Sequence, residues 1–137
     1  NNSEKFETAQ SSVTNMTVGW NLGNTLDANK YRAVFNKEKN IWEENLNLTG
    51  LSTETCWHMP KTTREMIHYV KNLGFNAVRV PITWIGHLDK NNIIDSKWMA
   101  RVKEVVDYVL EEEMYCIINI HHDAGGIGYI RLGYFQC

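Results

Sequence analysis

The chain has 137 residues, of which 43% are hydrophobic and 22% charged, and its formal net charge is -2. This length fits one modest domain, and the composition is typical of a globular protein rather than a disordered or fibrous one. Without a basic stripe, nucleic acid is not expected as a partner, and no apolar run is long enough to cross a membrane. The cysteines are too few and too scattered to indicate a disulfide framework, and they are Cys56, Cys116 and Cys137.

The start of the chain is polar. Residues 1–15 are predicted to be a mobile lead-in, and without an initiator Met or a signal peptide we expect that an N-terminal segment was removed or is missing. The segment from Met16 to Leu22 is a short strand candidate, and Gly23 permits a sharp turn after it. Asn24 and Asp27 then lie just past the carboxyl end of this strand.

Residues 28–60 have no clear periodicity. They contain Tyr31, Phe35, Trp42 and Trp57 among polar residues. A connection of this length is usually a binding loop or disordered. The aromatic residues, which pack in cores or stack on ligands, favour a binding loop.

The first predicted helix follows Pro60. Thr62 and Glu65 have the spacing of a capping box. Apolar residues then recur at i, i+3, i+4 and i+7, which predicts one buried stripe formed by Met66, Tyr69, Val70 and Leu73. Gly74 suits the position just after the last helical turn.

The second predicted helix spans roughly residues 96–113, with Asp95 or Ser96 as its N-cap. Its buried face is predicted at Trp98, Val102, Val105 and Val109. Its solvent face is predicted at Arg101, Lys103, Glu104 and Asp107. The acidic run 111–113 is expected to be a solvated helix end.

Two more strands are predicted. Residues 75–80, FNAVRV, form the second strand, and pairing should end at Pro81 because proline cannot donate to a ladder. Arg79 lies near the end of this strand and must face a polar site or partner, because a buried charge is costly. Residues 115–120, YCIINI, are apolar on both faces, which is typical of a strand in a buried parallel sheet and predicts a buried Cys116 thiol.

The predicted order is β-loop-α-β-loop-α-β. Strands separated by helices pair in parallel through right-handed crossovers, so a doubly wound sheet and a (β/α)8 barrel both fit. No GxGxxG follows the first strand and GxxxxGK[ST] is absent, which weakens the nucleotide-binding sheet. A barrel typically needs about 250 residues, so the chain would supply about the first three strands and two helices of a partial barrel.

In such a barrel the carboxyl ends of all strands share one face, and this face carries the site. The residues expected to converge there are Asn21, Asn24, Asp27, Arg79, Trp84, Asn119, His121 and His122. These residues offer hydrogen-bond donors, a single fixed positive charge, imidazoles and an aromatic wall. Such a set suits a neutral, hydroxyl-rich substrate and a carboxylate that neighbouring groups must hold in place.

Two other interpretations of His121, His122 and Asp123 stay open. One is a polar loop without function. The other is a metal site, since imidazole is a frequent ligand. Adjacent strand residues point to opposite faces, so both histidines bind one ion only if the strand has already ended. Neither a metal nor a cofactor is therefore expected.

Four segments resemble glycoside hydrolase family 5, and they are GWNLGNTLDA (19–28), PKTT (60–63), LGFNAVRVPITW (73–84) and INIHHD (118–123). In this order and spacing they are similar to the first part of the catalytic domain of a cellulase, an endo-β-1,4-glucanase. The resemblance covers roughly residues 16–126, so residues 16–137 are interpreted as the truncated N-terminal part of that domain. It implies a (β/α)8 barrel and a retaining mechanism on β-1,4-linked glucans.

The resemblance also implies roles for individual residues. Arg79 would hold the nucleophile in place and keep it ionised. His121 would contact the sugar at the cleavage site, with His122 beside it. The positions that would line the glycone side of the cleft are Asn24, Asp27 and Trp84.

The chain's most important departure from the family pattern is an absence, although His58-Met59 before Pro60 and the residues after Gly126 are also less typical. The family's acid/base lies in an Asn-Glu pair after the fourth strand and its nucleophile is a Glu after the seventh, but this sequence has no Asn-Glu dipeptide. Arg and His cannot replace a proton donor and an anionic nucleophile, so the 137-residue chain alone is expected to be inactive.

Three alternatives to a cellulase fragment remain. The first is a non-catalytic glucan-binding remnant that uses Trp42, Trp57 and Trp84. The second is a sister activity on xyloglucan, mixed-linkage glucan, xylan or mannan. The third is an unrelated metal-dependent barrel hydrolase. For the cellulase interpretation the expected partner is a β-glucan, the location is extracellular and the full-length form is monomeric.

Overall fold

The computed structural model describes residues 6–29, 33–44, 50–89 and 91–123. Its elements, in chain order, are α1 (Ala9–Asn15), β1 (Gly19–Asn21), β2 (Ala33–Asn36), β3 (Ile41–Glu44), a 3-10 helix (Gly50–Thr55), α2 (Arg64–Asn72), β4 (Ala77–Ile82), α3 (Ser96–Glu111) and β5 (Tyr115–Ile120). Within these ranges, no helix has the length and apolar character that a membrane span requires.

β4 is the central strand of a three-stranded parallel sheet. It pairs with β1 on one side and with β5 on the other. The register sets Asn21 beside Arg79, and Ile82 beside Ile120. This arrangement confirms the predicted parallel order, in which all three strands end at the same edge of the sheet.

α3 packs one face against the sheet. Trp98, Val105 and Val109 are fully buried and Val102 nearly so, which confirms the predicted face. The N-cap of α3 is Asp95, which was one of the two residues predicted for this position. The core cluster joins this face to residues from β4, α2 and the turn after β1, and its members are Leu22, Leu26, Ile67, Val70, Val78, Val80, Ile82, Trp98, Val102, Val105, Val109 and Met114.

The N-cap of α2 is Thr63 rather than Thr62. The Thr63 hydroxyl accepts a hydrogen bond from the N–H of Met66 at 3.3 Å. Thr62 is buried, and its N–H donates to Glu54 at 2.8 Å. The N-cap predicted from the capping-box spacing is therefore wrong by one residue, because Thr62 is held in a tertiary hydrogen bond to Glu54.

The buried face of α2 also differs from the predicted stripe. Ile67 and Val70 are buried, whereas Tyr69 and Leu73 are 64% and 58% exposed. Single apolar residues are common on protein surfaces, so spacing alone did not distinguish two adjacent stripes. Gly74 follows the helix with φ +95°, as predicted for the position after the last turn.

Pairing continues through Pro81, contrary to the prediction. Pro81 and Ile82 remain in register with β5. The carbonyl of Arg79 accepts the N–H of Leu22, and the N–H of Thr83 donates to the carbonyl of Leu26. Every second residue along β4 therefore points its backbone N–H and C=O groups towards the β1 side. Pro81 lies between Arg79 and Thr83, so its missing N–H faces that side, where β1 has already ended, and the ladder to β5 stays intact.

β5 is half-exposed rather than buried on both faces. Ile117, Ile118 and Ile120 are 45%, 58% and 56% exposed. β5 is one of the two outer strands of this sheet, so it has a neighbouring strand on one side only. Cys116 is half-buried, and its burial raises the pKa of the thiol to about 11.

Residues 28–60 contain regular structure, although their sequence lacks periodicity. β2 and β3 form an antiparallel hairpin in which Phe35 is the register partner of Trp42, and the 3-10 helix follows. Tyr31 and Cys137, and the side chains of Phe35 and Trp42, lie outside the described residues. The expected binding loop is therefore largely a hairpin and a helical turn.

The predicted lead-in contains α1. Thr8 caps this helix, and Glu7 accepts hydrogen bonds from Ser11 and from the Tyr115 hydroxyl at the start of β5. The carbonyl of Asn15 accepts from the side chain of Asn76 at 2.7 Å. These polar contacts, rather than apolar burial, hold α1 near the amino ends of the strands, so the hydropathy pattern did not reveal it.

A buried ion pair joins α3 to the 3-10 helix. Arg101 donates from Nε and Nη2 to the two carboxylate oxygens of Glu54 at 2.9 and 2.8 Å. Nη2 also donates to the carbonyl of Thr62 at 2.6 Å. Burial acts to lower the pKa of Arg101, but hydrogen bonds to Glu54 and Glu104 outweigh it and raise the pKa above its ordinary value. The prediction that Arg101 faces solvent was wrong, because the carboxylate that pairs with it comes from a distant segment.

Replacing Arg101 by Met should lower the free energy of unfolding by about 3–5 kcal/mol, because the Glu54 charge stays buried without its partner. The double variant Arg101→Met/Glu54→Leu should regain part of this loss. Lys103→Met, an exposed cation on the same helix, is the control and should change stability by less than about 0.5 kcal/mol. Urea unfolding measures all three, and equal losses in Arg101→Met and Lys103→Met would contradict the ion-pair argument.

His87 is a second buried contact between the same segments. Its ring stacks on Trp98 with centroids 3.8 Å apart, and Nε2 lies 3.3 Å from the hydroxyl of Thr53 in the 3-10 helix. Burial lowers the pKa of His87 to about 4, against the smaller opposing effect of the Asp95 charge. His87 is therefore neutral at pH 7.

Because the pKa of His87 is lower in the folded chain, the unfolded chain binds more protons between pH 6.5 and 4, and stability falls as the pH is lowered through this window. The complete effect is about 3 kcal/mol. His87→Phe keeps a ring against Trp98 and should remove this part of the pH dependence. The control is His68→Phe, since His68 is exposed. Urea unfolding at several pH values should give a flatter profile for His87→Phe than for His68→Phe.

Candidate active site

Arg79 contacts side chains from both neighbouring strands at the carboxyl edge of the sheet. Its Nη1 donates to Oδ1 of Asn21 on β1 at 2.7 Å. Its Nη2 lies 3.3 Å from Nδ1 of His121, the first residue after β5. Asn21, Arg79 and His121 therefore form a row across the strand ends, which we call the polar row. This is the convergence expected when parallel strands end at one edge.

The polar row determines which nitrogen of His121 carries the proton. Nδ1 faces two donors, Nη2 of Arg79 and Nδ2 of Asn119, each at 3.3 Å. Neither donor group can accept a hydrogen bond, so Nδ1 must be the acceptor and the proton is assigned to Nε2. In this tautomer His121 offers an N–H donor at Nε2.

An aromatic residue from another segment lies beside the histidines. The rings of His121 and His122 meet edge to face with centroids 4.4 Å apart. Trp57, just after the 3-10 helix, meets His122 in the same way at 5.4 Å and is 37% exposed. The histidine pair therefore has a partly exposed indole at its side.

Asp27 lies beneath the exposed surface. Only 3% of it is exposed, and its Oδ1 accepts the N–H of Thr25 at 2.8 Å. One potential ligand atom each from Asp27, His121 and His122 lie within 4.8 Å of one another, so these residues are the cluster to test for a metal ion.

The surroundings of His121 oppose a metal in this cluster. A ligating histidine normally donates its other ring N–H to an acceptor. Here a metal on Nε2 would force a proton onto Nδ1, against the donors of Arg79 and Asn119. A metal on Nδ1 would displace both donors and would approach the guanidinium charge of Arg79. The cluster is better suited to a hydrogen-bonding substrate than to a cation.

Asp123 connects the histidine segment to Trp84. Its Oδ1 accepts the backbone N–H groups of Trp84 and Ile85 at 2.8 and 2.6 Å. Burial raises the pKa of Asp123, while the N–H groups of Ile85 and Trp84 act to lower it. Trp84 packs partly buried against the core at this side of the site.

The structure brings together most of the predicted site residues. Arg79, His121 and His122 lie in contact, Asp27 lies next to the two histidines, and Trp84 is linked to them through Asp123. Asn24 lies in the same turn as Asp27, is exposed, and has a φ of +61°, which Asn tolerates better than most residues. No contact from Asn24 to the polar row is seen in the described residues.

The residues expected to converge at the strand ends did not include Trp57 or Asp123. Trp57 was expected only in a binding loop or as a glucan-binding aromatic, and it reaches His122 through tertiary packing, so no local pattern placed it beside the histidines. Asp123 directly follows the two histidines, and this position was its only signal. Its hydrogen bonds to the turn after β4 depend on the parallel register.

The polar row predicts the tautomer of His121. At pH 7, long-range ¹⁵N–¹H correlation spectra should show a proton on Nε2 and none on Nδ1. Arg79→Ala should shift the ring towards a mixture, because one of the two donors is lost. His68 is the internal reference, since its Nδ1 faces the carboxylate of Glu112 at 2.9 Å and should carry the proton. A protonated Nδ1 on His121 would contradict the assignment.

The chain is similar to a known enzyme family and to proteins of that family. The family model described as Cellulase (glycosyl hydrolase family 5) matches residues 35–132. Endoglucanase A of Clostridium longisporum is 43% identical over 122 residues, which cover 89% of this chain and 22% of that protein. Endoglucanase B of Neocallimastix patriciarum is 40% identical over 114 residues, 82% of this chain and 22% of that protein. The chain thus spans about a fifth of the length of these two relatives.

Solved structures match over a similar part of the chain. A broad specificity endoglucanase from Ruminococcus champanellensis with bound cellotriose has a TM-score of 0.72 and 44% identity, and the match covers 86% of this chain and 32% of that one. A family 5 enzyme from Prevotella bryantii, in complex with a xyloglucan tetradecasaccharide, has a TM-score of 0.73 and 40% identity, and the match covers 88% and 31%.

Proposed function

The chain belongs to glycosyl hydrolase family 5, the cellulase family, and we propose that it forms part of the substrate cleft of an endo-β-1,4-glucanase. Its parallel strands and their helices are part of a (β/α)8 barrel, the fold of its structural neighbours. The observation that supports the proposal best is the polar row beside Trp57 at the carboxyl edge of the strands. A fixed cation, an imidazole N–H donor and an aromatic surface suit the hydroxyls and the apolar face of a sugar ring.

The proposed reaction is hydrolysis with retention. In such enzymes one carboxylic acid protonates the leaving oxygen, and a carboxylate about 5–5.5 Å away attacks the anomeric carbon. Arg79 would hold the attacking carboxylate and keep it ionised, because a guanidinium stays charged at every relevant pH. His121 would donate from Nε2 to a sugar hydroxyl at the cleavage site, with His122 beside it.

The remaining predicted residues form the surroundings of the cleavage site. Trp84 and Asn24 would line the glycone side. Asp27 was predicted to contact the substrate as well, but its burial favours an indirect role, in which its carboxylate supports the two histidines from below.

The proposed substrate class is a β-1,4-linked glucan. The structures from Ruminococcus champanellensis and Prevotella bryantii hold cellotriose and a xyloglucan oligosaccharide. Both ligands have a backbone of β-1,4-linked glucose, so cellulose and related β-glucans are favoured over xylan and mannan. Because such polymers lie outside cells, we propose an extracellular location.

A glucan-binding role without hydrolysis is the second candidate. It is favoured by the partly exposed indole of Trp57 beside the histidine pair, and these 137 residues contain no Asn-Glu pair that could supply the acid/base. The 137-residue chain by itself should therefore bind cellotriose and release no reducing sugar from carboxymethylcellulose.

Catalytic roles can be tested in a chimera in which residues 16–123 replace the matching segment of Clostridium longisporum endoglucanase A. Arg79→Ala and His121→Ala should each lower kcat on the order of 10²-fold, because each removes a group that stabilises charge or holds the reacting sugar. Lys103→Ala, a cation on the outer face of α3, is the control and should leave kcat unchanged. Unchanged kcat in both site variants would refute their proposed roles. If neither the 137-residue chain nor the chimera binds glucan, the proposed function itself is refuted.

A further inference from the structure

The carboxylate of Asp123 bridges the ends of two neighbouring strands. Asp123 follows the histidine pair after β5, and its Oδ1 accepts two consecutive backbone N–H groups, those of Trp84 and Ile85, just after β4. The other oxygen, Oδ2, is buried and has no hydrogen-bond partner among the described residues. One oxygen therefore makes both contacts.

The turn that holds Trp84 is fixed on its other side by separate contacts. Thr83 donates its N–H to the carbonyl of Leu26 at 3.0 Å and its hydroxyl to the carbonyl of Asp27 at 2.8 Å. The last ladder bond between β4 and β5 runs from the N–H of His121 to the carbonyl of Ile82 at 2.9 Å. Beyond this bond, the hydrogen bonds seen between the two strand ends in the described residues are those that Asp123 accepts.

We propose that Asp123 is a positioning residue that holds Trp84 at a fixed distance from the histidine pair and so sets the width of the cleft at that wall. This inference rests on the proposed function, in which a glucan lies between them. Without the carboxylate, the backbone of Trp84 and Ile85 loses its anchor to the histidine segment. The indole, which still packs against the core, then loses its fixed distance from His121.

The chain contains a matched control for this bridge. Asp89 lies in the same connection between β4 and α3, and its Oδ1 accepts the N–H groups of Asn91 and Ile93, both at 2.8 Å. Asp89 is exposed and its bonds stay within its own turn. Removal of either carboxylate breaks two bonds of the same type, but only the Asp123 bonds join the two strand ends at the site.

The test uses the 137-residue chain and the variants Asp123→Ala, Asp123→Asn and Asp89→Ala. Cellotriose affinity is measured by calorimetry, and amide hydrogen exchange is measured at Trp84 and Ile85. Asp123→Ala should weaken cellotriose binding about 10-fold or more, because the ligand must then order a wall of the cleft that charge-assisted hydrogen bonds hold in the wild type. It should also speed exchange at both amides. Asp123→Asn keeps an oxygen acceptor and should restore affinity to within about twofold of the wild type, as should Asp89→Ala.

Three outcomes would overturn the inference. They are wild-type affinity in Asp123→Ala, an equal loss of affinity in Asp123→Asn and Asp123→Ala, and a loss in Asp89→Ala as large as that in Asp123→Ala. If the wild-type chain does not bind cellotriose, the proposed function fails, and amide exchange then decides about Asp123. If Asp123→Ala exchanges the amides of Trp84 and Ile85 at the wild-type rate, the bridge is refuted. If Asp123→Ala exchanges them faster and Asp89→Ala exchanges them at the wild-type rate, the bridge is supported.

Discussion

Parallel pairing of β4 with both β1 and β5 is the constraint on which the site depends. The register sets Asn21 beside Arg79 and makes His121 the first residue beyond the paired part of β5. Side chains that are distant in sequence thus meet without any local interaction to guide them. The donors of Arg79 and Asn119 then favour one tautomer of His121, so backbone register determines which hydrogen-bonding group is offered to a ligand.

A second constraint acts from the helical side. The ion pair between Arg101 and Glu54 holds the 3-10 helix against α3. His87 adds a second link, because it stacks on Trp98 of α3 and faces the hydroxyl of Thr53 in the 3-10 helix. The residues after this helix carry Trp57 to the edge of His122. Buried polar groups at α3 therefore support an aromatic group beside the histidine pair, and these polar groups tolerate burial because each is paired or neutral.

The sequence predicted those features that local patterns encode. Helical spacing identified the buried face of α3, and the strand ends identified Arg79 and the histidines as neighbours. The patterns failed where a tertiary partner decides the outcome. Arg101 is buried because Glu54 reaches it, Thr63 replaces Thr62 as cap because Glu54 binds Thr62, and the ladder passes Pro81 because β1 ends early. Such partners come from segments without periodicity, so no window of sequence contains both members of the pair.

The closure of the segment between Glu54 and Thr62 has an evolutionary consequence. One guanidinium binds Glu54 and the carbonyl of Thr62, and Glu54 also binds the Thr62 N–H, so both ends of residues 55–61 are fastened at one point. Insertions between two fixed ends cost little conformational entropy. Residues 55–61 can therefore diversify in length and composition while the barrel scaffold is inherited unchanged, which makes this part of the rim a place where new glycan preferences can arise.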